Sequence, residues 1–286
     1  MPCRSSSSTC YAIGYWPRSG RSRSRSSRAS GSRRPSPSKG CDVSSRTPTL
    51  VCFPHAGGGA SAFWAWRRNT ETKIHVHPVS LPGRDDRNGE PLPADMTALA
   101  ESLAHDLADV LDEPHVLFGH SMGGLVAHQV AKHRWAAGKR MADALVVAAC
   151  PAPHLVSPLA TVADLDDARL AIGLDTIGGL PPELLDRPQW MSTFLEGVRA
   201  DLKLCFAHSY RAEPRLPCAI HVFGGEHDPL VRRSALAGWR RHTSASFTLK
   251  MLDGNHFLAS DENSGLRSEV FALVENVTHS DAPRPQ

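Results

Sequence analysis

The stretch HVLFGHSMGG, His115–Gly124, passes from an apolar run directly into a serine flanked by small residues. The apolar run predicts a buried strand, and residues 124–138 predict a helix that ends at Gly138. GHSMG therefore matches the pattern G-x-S-x-G at a corner between a strand and a helix, which exposes the serine on a sharp turn. This placement makes Ser121 a candidate nucleophile.

The residues on both sides of this corner alternate between short apolar strands and amphipathic helices. Helices are predicted within residues 93–113 and around Leu230–His242. Further strands are predicted at Leu50–Phe53, Lys73–Leu81, Ala144–Cys150, Ala219–Gly225 and Phe247–Leu252. This alternation predicts an α/β fold with a mostly parallel central sheet and helices on both faces.

Residues 153–217 interrupt the alternation between two predicted strands. They are rich in leucine, proline and acidic residues, and residues 160–174 and 190–206 have the spacing of amphipathic helices. An insertion at this point lies over the carboxyl edge of a parallel sheet, where ligands bind. We interpret the segment as a helical lid, and ordinary crossover helices are the alternative.

A serine hydroxyl needs a base to take its proton and a carboxylate to orient that base. In hydrolases with this corner the chain order is serine, acid, histidine. Asp228 follows the strand Ala219–Gly225, and His256 follows the strand Phe247–Leu252. Because the carboxyl ends of parallel strands share one edge, we predict that both residues lie beside Ser121.

Neighbouring residues offer weaker alternatives. Glu226 is the closest substitute for the predicted acid. His120 flanks the serine but should point away from it in the tight turn, and no strand places His227 as the base. Asp253 should shape the turn before the predicted base. We expect no metal, because the sequence lacks an HExxH motif and paired Cys/His spacing.

The segment FPHAGGGASAF, Phe53–Phe63, raises a choice between phosphate binding and oxyanion binding. It lacks the lysine of a P-loop and the G-x-G-x-x-G spacing of a dinucleotide fingerprint, so we expect no nucleotide cofactor. Hydrolases with a nucleophile corner take a second oxyanion N–H from a loop of this kind. We therefore predict the backbone N–H groups of Ala56 and Met122 as oxyanion donors, and His55 as a residue that shapes the loop.

The N-terminal residues 1–46 differ in composition from the remaining chain. They hold 15 serines, ten basic residues and one acid, whereas the rest carries 22 bases and 28 acids. Such a segment predicts a disordered tail, and residues 279–286 predict a flexible end. Three interpretations of the tail stay open. It could bind RNA through its Arg–Ser repeats, or it could be an organellar transit peptide. Alternatively, the assigned start could lie upstream of the true one, with initiation at the codon read as Val43.

Residues 47–278 are expected to form a single domain, since 41% of the 286 residues are hydrophobic and support a large core. Four of the seven cysteines lie outside the tail, namely Cys52, Cys150, Cys205 and Cys218; they show no CxxC spacing and are expected to be buried reduced thiols. No apolar run approaches the roughly 18 residues of a membrane span. We expect a monomer in the bacterial cytoplasm that binds neither membrane nor nucleic acid.

Several segments occur together in an order typical of one family. They are LVCFPHAGGGASAF at 50–63, LPGRDDR at 81–87, FGHSMGG at 118–124, GGLPPELL at 178–185, RADLKLC at 199–205, GGEHDPLV at 224–231, WRRHT at 239–243 and GNHFL at 254–258. With these motifs the chain resembles the type II thioesterases of polyketide and nonribosomal peptide synthetase systems, from about Leu50 to Leu273. Asp85 stands where that family usually has Glu, a change that is not expected to touch the chemistry.

The resemblance implies an α/β-hydrolase fold with a triad of Ser121, His256 and Asp228 and with Ala56 and Met122 as oxyanion donors. It also implies hydrolysis of acyl thioesters on the phosphopantetheine arm of acyl or peptidyl carrier proteins, an editing reaction that needs no cofactor. A small-molecule carboxylesterase or lipase of the same fold is one alternative, and an RNA-associated protein acting through its tail is another.

Recognition of the carrier protein is less defined by the sequence. The folded part of the chain is mildly acidic, as carrier proteins tend to be, so net charge does not favour association. Exposed arginines are a candidate docking surface, although a solvated helix face is the simpler interpretation. They are Arg232, Arg233, Arg240 and Arg241.

Overall fold

The computed structural model describes residues 47–68, 73–155, 162–181, 184, 186–207, 210 and 214–279. The predicted tail, residues 1–46, lies outside the described residues, as does the predicted flexible end after His279. The interpretations given for these two segments therefore stay predictions.

Six parallel strands form one sheet in the order β2-β1-β3-β4-β5-β6. The strands are β1 Thr49–Phe53, β2 His75–Pro78, β3 His115–His120, β4 Ala144–Ala148, β5 Ala219–Gly225 and β6 Phe247–Leu252. Each predicted strand is present, and β2 is four residues long instead of nine. It is an edge strand that ends at Pro78, which has no N–H for the sheet.

Helices connect the strands and flank the sheet. They are α1 Trp64–Arg67, α2 Met96–Asp106, α3 Ala108–Leu111, α4 Met122–Ala136, α5 Asp167–Thr176, α6 Pro188–Ala207, α7 Arg233–Ala237 and α8 Leu266–His279. The helix predicted within residues 93–113 is divided at Leu107, and the one at 230–242 is α7 followed by a 3-10 turn. Gly138 has φ +64° just after α4, as predicted. Within the described chain, no helix is both long and apolar enough to cross a bilayer.

Both faces of the sheet are covered, because alternate residues of each strand point to opposite sides. Leu117 of β3 belongs to a core cluster that includes α2 and α4. Its neighbours Val116 and Phe118 belong to a second cluster that includes α1 and α8. The continuous apolar strands of the sequence are thus explained by helices on both sides, and the predicted α/β-hydrolase architecture is confirmed.

The chain changes direction across the sheet at β1, which lies between β2 and β3. Connections leave the carboxyl ends of β1 and β3 toward opposite sides, which opens a crevice at this switch point. The Gly-rich segment follows β1 and Ser121 follows β3, so both border the crevice. The loops after β5 and β6 reach the same edge.

The insert, residues 153–217, contains α5 and α6 where amphipathic helices were predicted. The side chain of Asp166 caps α5 by accepting a hydrogen bond from the N–H of Arg169 at 2.9 Å. Ala163 and Val198 belong to a small core of the insert, and Ala56 of the Gly-rich segment packs against that core. The insert thus touches the edge of the sheet at which Ser121 lies.

The corner around Ser121 packs directly onto the end of β1. A methyl group added at Gly123 would lie 2.1 Å from the carbonyl oxygen of Phe53. One added at Gly119 would lie 2.2 Å from the carbonyl oxygen of Gly123. Backbone occupies the space of both side chains, so these two positions require glycine.

We predict opposite effects of one substitution at two glycines. Gly123→Ala should lower the free energy of unfolding by about 3 kcal/mol, because the added methyl group meets rigid backbone. Gly197→Ala, in α6 with no heavy atom within 4 Å of the added methyl group, should raise it by about 0.5–1 kcal/mol through helix propensity. Urea unfolding of both variants measures the difference, and equal effects would contradict the packing described for the corner.

Candidate active site

Ser121 occupies a strained turn between β3 and α4. Its φ is 54° and its ψ is −120°, a conformation that costs a non-glycine residue about 1–3 kcal/mol. The N–H of Ser121 donates to the carbonyl oxygen of Ala148 at 2.8 Å. This hydrogen bond continues the pairing of β3 with β4 and holds the strained residue in place.

Three predicted site residues are in contact with one another. The hydroxyl oxygen of Ser121 lies 3.0 Å from Nε2 of His256, and Nδ1 of His256 lies 2.9 Å from Oδ2 of Asp228. A carboxylate only accepts hydrogen bonds, so Nδ1–H of His256 donates to Asp228 and Nε2 is left to accept the serine proton. The arrangement can transfer a proton from the serine to the imidazole.

The Asp228 carboxylate is held from both sides. Its side chain is fully buried, and Oδ1 accepts hydrogen bonds from the N–H groups of Leu230 at 2.8 Å and Val231 at 3.1 Å. Oδ2 is thereby aimed at His256. The position of this carboxylate is fixed by its own loop and does not depend on the histidine.

The weaker alternatives lie elsewhere. Glu226 and His227 are exposed, and Nε2 of His227 lies 3.2 Å from Oδ1 of Asp253 on the surface. Nε2 of His120 lies 2.8 Å from the carbonyl oxygen of His256, so this ring supports the histidine backbone and not the serine hydroxyl. None of these four side chains lies within hydrogen-bonding distance of the hydroxyl of Ser121.

Two further imidazoles beside His256 are kept neutral. Burial lowers the pKa of His55 to about 4, with smaller contributions from His256 and Arg84, and burial lowers the pKa of His120 well below its usual value. Nδ1 of His120 has no partner among the described residues, so a protonated ring would bury an unpaired N–H. The His55 ring packs edge-on against His120 and Phe257, with centroids 5.3 and 5.1 Å apart, and so shapes the loop.

The Gly-rich segment begins with a type II turn over residues 55–58. The N–H of Gly58 donates to the carbonyl oxygen of His55 at 2.9 Å, and Gly57 has φ +77° whereas Ala56 has a negative φ. The predicted oxyanion donors are available, since within the described residues no acceptor contacts the N–H of Ala56 or of Met122. Both groups can therefore donate to a bound oxygen.

Three charged residues to which the sequence assigned no role hold the Gly-rich segment, two of them at the turn itself. Arg84 donates to the carbonyl oxygen of Gly58 at 2.8 Å, and Asp201 accepts from the N–H of Gly57 at 2.7 Å. Asp85 accepts from the N–H of Ala60 at 2.7 Å, so the family difference at this position does touch the loop. The sequence did contain one signal for Asp201, namely an acidic residue on the inward face of the amphipathic helix α6. A buried carboxylate needs a cation, so this position indicated a buried ion pair.

A cavity of about 140 Å³ opens onto Ser121 and is almost entirely apolar in its lining. Part of the lining comes from His55, Ala56, Leu230 and Phe257, beside His256. The insert contributes the rest, namely Val162, Leu165, Gly173, Leu174, Ile177, Val198 and Leu202. Such a chamber suits a hydrocarbon chain bonded to a reacting carbonyl, and it offers no cationic group for a phosphate.

Comparisons with known proteins agree with this geometry. The model of the Thioesterase domain family matches residues 48–276. The RedJ thioesterase from the prodiginine biosynthetic pathway in Streptomyces coelicolor is 33% identical, with a TM-score of 0.74 over 85% of this chain and 91% of that chain. YbtT, a type II thioesterase from the yersiniabactin NRPS/PKS biosynthetic pathway, is 29% identical, with a TM-score of 0.73 over 82% and 96%.

One relative carries a name from another class of enzyme. Linear gramicidin dehydrogenase LgrE of Brevibacillus parabrevis is 33% identical over 245 residues, which cover 81% of this chain and 88% of the relative. Hydride transfer would need a nicotinamide site, but the Gly-rich segment has no dinucleotide fingerprint. The serine–histidine–aspartate contacts favour acyl transfer for this chain.

Acid should destabilise the protein through its buried neutral histidines. Because the pKa of His120 is lower in the folded than in the unfolded chain, its contribution to stability is present above about pH 6.5 and is lost as the pH falls below that value. His120→Gln keeps a donor for the carbonyl of His256. It should reduce the loss of unfolding free energy between about pH 7.5 and pH 5 by about 2 kcal/mol.

Urea unfolding at the two pH values measures this effect. His105→Gln, at an exposed position of α2, is the matched control and should leave the acid sensitivity unchanged. An unchanged sensitivity in His120→Gln would show that this ring takes up its proton as readily in the folded as in the unfolded chain.

Proposed function

The chain belongs to the thioesterase family and is a thioester hydrolase, and we propose that Ser121, His256 and Asp228 perform its reaction. The observation that carries this proposal is the continuous set of contacts from the serine hydroxyl to the buried carboxylate. The serine, the imidazole and water supply every nucleophile and proton, so the reaction needs no cofactor.

Acylation begins when Nε2 of His256 takes the proton of Ser121 and the serine oxygen attacks the thioester carbonyl carbon. The carbonyl oxygen becomes an oxyanion and accepts hydrogen bonds from the N–H groups of Ala56 and Met122. Met122 is the first residue of α4, whose positive helix end also favours this charge. Collapse of the intermediate breaks the carbon–sulfur bond, and the imidazolium returns its proton to the leaving sulfur.

Deacylation repeats these steps with water. His256 takes a proton from the water, whose oxygen attacks the acyl-serine, and the proton then returns to the oxygen of Ser121 as the free acid leaves. Asp228 stabilises the imidazolium in both half-reactions by accepting from Nδ1–H. Neutral His55 and His120 place no competing positive charge beside it.

The proposed substrate is an acyl group on the phosphopantetheine arm of an acyl or peptidyl carrier protein. YbtT comes from an NRPS/PKS pathway and RedJ from a biosynthetic pathway, and the apolar chamber at Ser121 fits an acyl chain. The enzyme would act as a monomer that removes stalled or aberrant acyl groups. The free thiols Cys52, Cys150 and Cys218 are buried and fit the reducing bacterial cytoplasm that we propose as its compartment.

The candidate docking arginines form two pairs. Arg232 and Arg233 directly follow the loop of Asp228 and so lie toward the edge of the sheet that carries Ser121. Arg240 and Arg241 instead line a surface pocket near the amino ends of β5 and β6. We propose the first pair as the contact for an acidic carrier protein, since an arm anchored there has the shorter path to the serine.

The substrate class can be tested with acyl groups loaded on a carrier protein and with matched oxygen esters of the same acyl groups. We expect kcat/KM to be at least about 100-fold higher for the carrier thioesters, and Ser121→Ala to lose at least about 1,000-fold while keeping the wild-type Tm. Faster turnover of the simple esters would favour a carboxylesterase. Wild-type activity in Ser121→Ala would remove this serine from the reaction.

The acid of the triad can be tested with two neighbouring carboxylates. Asp228→Asn should lower kcat by about 10,000-fold, because an amide stabilises the wrong tautomer of His256. Glu226→Gln, in the same loop but exposed, should remain within about two-fold of wild type, as surface substitutions generally do. Steady-state kinetics with a carrier thioester measure both, and a larger loss in Glu226→Gln would transfer the role to Glu226.

A further inference from the structure

A buried ion pair joins the insert to the turn that carries Ala56. The Asp201 side chain on α6 is 1% exposed, and the Arg84 side chain is 15% exposed. Two donors of Arg84 reach the two carboxylate oxygens, Nη1 to Oδ2 at 2.8 Å and Nη2 to Oδ1 at 2.7 Å. This bidentate geometry gives the pair one defined orientation.

Both members of the pair also bind the backbone of the turn. Oδ2 of Asp201 accepts from the N–H of Gly57 at 2.7 Å, and Nη1 of Arg84 donates to the carbonyl oxygen of Gly58 at 2.8 Å. The peptide between Ala56 and Gly57 is thereby fixed by the carboxylate, and the peptide after Gly58 is fixed by the guanidinium. The peptide that presents the Ala56 N–H lies immediately before the one fixed by the carboxylate.

The carboxylate selects one of two turn conformations. Type I and type II turns differ mainly by a flip of their central peptide, and glycine at the third position permits both. In the observed turn the Gly57 N–H points at Asp201. After a flip the carbonyl oxygen of Ala56 would face the same negative charge, so the ionised carboxylate opposes the flip as well as stabilising the present form.

Besides the hydrogen bond from Gly57 to Asp201, the insert makes a steric contact with the turn. A methyl group at Gly57 would lie 2.4 Å from the side chain of Val198, one turn of α6 before Asp201. A buried ion pair contributes little net stability compared with packed apolar groups. Its placement at this turn is better explained by control of backbone geometry.

We propose that Arg84 and Asp201 are positioning residues that hold the Ala56 N–H in place for the oxyanion and make this donor depend on the placement of α6. The inference rests on the proposed function, since it takes Ala56 as an oxyanion donor. Its consequence is that loss of the pair should weaken transition-state binding more than substrate binding.

Asp201→Asn tests the proposal at nearly constant volume. An amide cannot accept from both Gly57 and Arg84 without turning its NH₂ group toward one of these donors. Loss of a direct oxyanion donor costs about 100- to 1,000-fold in kcat, so for this indirect effect we expect a loss of about 10- to 100-fold with KM within about two-fold. Binding of an acyl trifluoromethyl ketone, whose adduct with Ser121 carries an oxyanion, should weaken by the same factor as kcat.

Asp167→Asn is the matched control. Oδ1 of Asp167 accepts from Arg199 at 2.9 Å within the insert, away from the turn. This variant loosens the insert without touching Gly57, and both kcat and ketone binding should stay within about two-fold of wild type, as for most surface substitutions. Equal losses of kcat and of ketone binding in Asp201→Asn and Asp167→Asn would show that Asp201 acts only by stabilising the insert.

Arg84→Lys is a second variant that tests the same inference, and it can be measured even if Asp201→Asn does not fold. Lysine keeps the charge but not the forked geometry, so kcat and ketone binding should fall together by at least about five-fold, with a wild-type Tm. If Asp201→Asn folds and binds the ketone as tightly as wild type, the inference is overturned while the proposed function stands. If Asp201→Asn does not fold, unchanged ketone binding in Arg84→Lys has the same meaning. A wild-type protein inactive on carrier thioesters, or an active Ser121→Ala, would overturn the proposed function and this inference with it.

Discussion

The contact between Gly123 and the carbonyl oxygen of Phe53 is the constraint on which the remaining arrangement depends. It brings the start of α4 against the end of β1 with no side chain between them. The strained backbone of Ser121 is held because its N–H is bonded to the end of β4 and the next residue begins α4. The same contact places the turn at residues 55–58, which presents the N–H of Ala56, beside the start of α4, which presents the N–H of Met122.

Burial determines which side chains around Ser121 carry a charge. The buried carboxylate of Asp228 faces the imidazole of His256, and its second oxygen accepts hydrogen bonds from backbone N–H groups. His55 and His120 pack beside His256 but lose their affinity for protons through desolvation. In the proposed reaction, a proton taken from Ser121 therefore resides on Nε2 of His256 until the leaving group accepts it.

Sequence reasoning predicted the strands and the proximity of three polar side chains because both follow from short-range rules. A residue just after a parallel strand lies on a known edge, so Ser121, Asp228 and His256 could be placed together without coordinates. Asp201 could not be assigned in this way, because it is 117 residues from Arg84 and helical periodicity does not say which loop an inward residue meets. The division of the predicted helix at Leu107 likewise has no signal in its apolar spacing.

Asp201 lies on the insert, yet its carboxylate accepts a hydrogen bond from the turn that follows β1. The insert also supplies seven of the residues that line the cavity. Under the proposed function, one segment therefore shapes both the acyl chamber and the position of the Ala56 N–H. An insert taken from a relative to accept bulkier acyl groups would therefore have to bring a carboxylate to the same point on its helix, besides changing the residues that line the cavity.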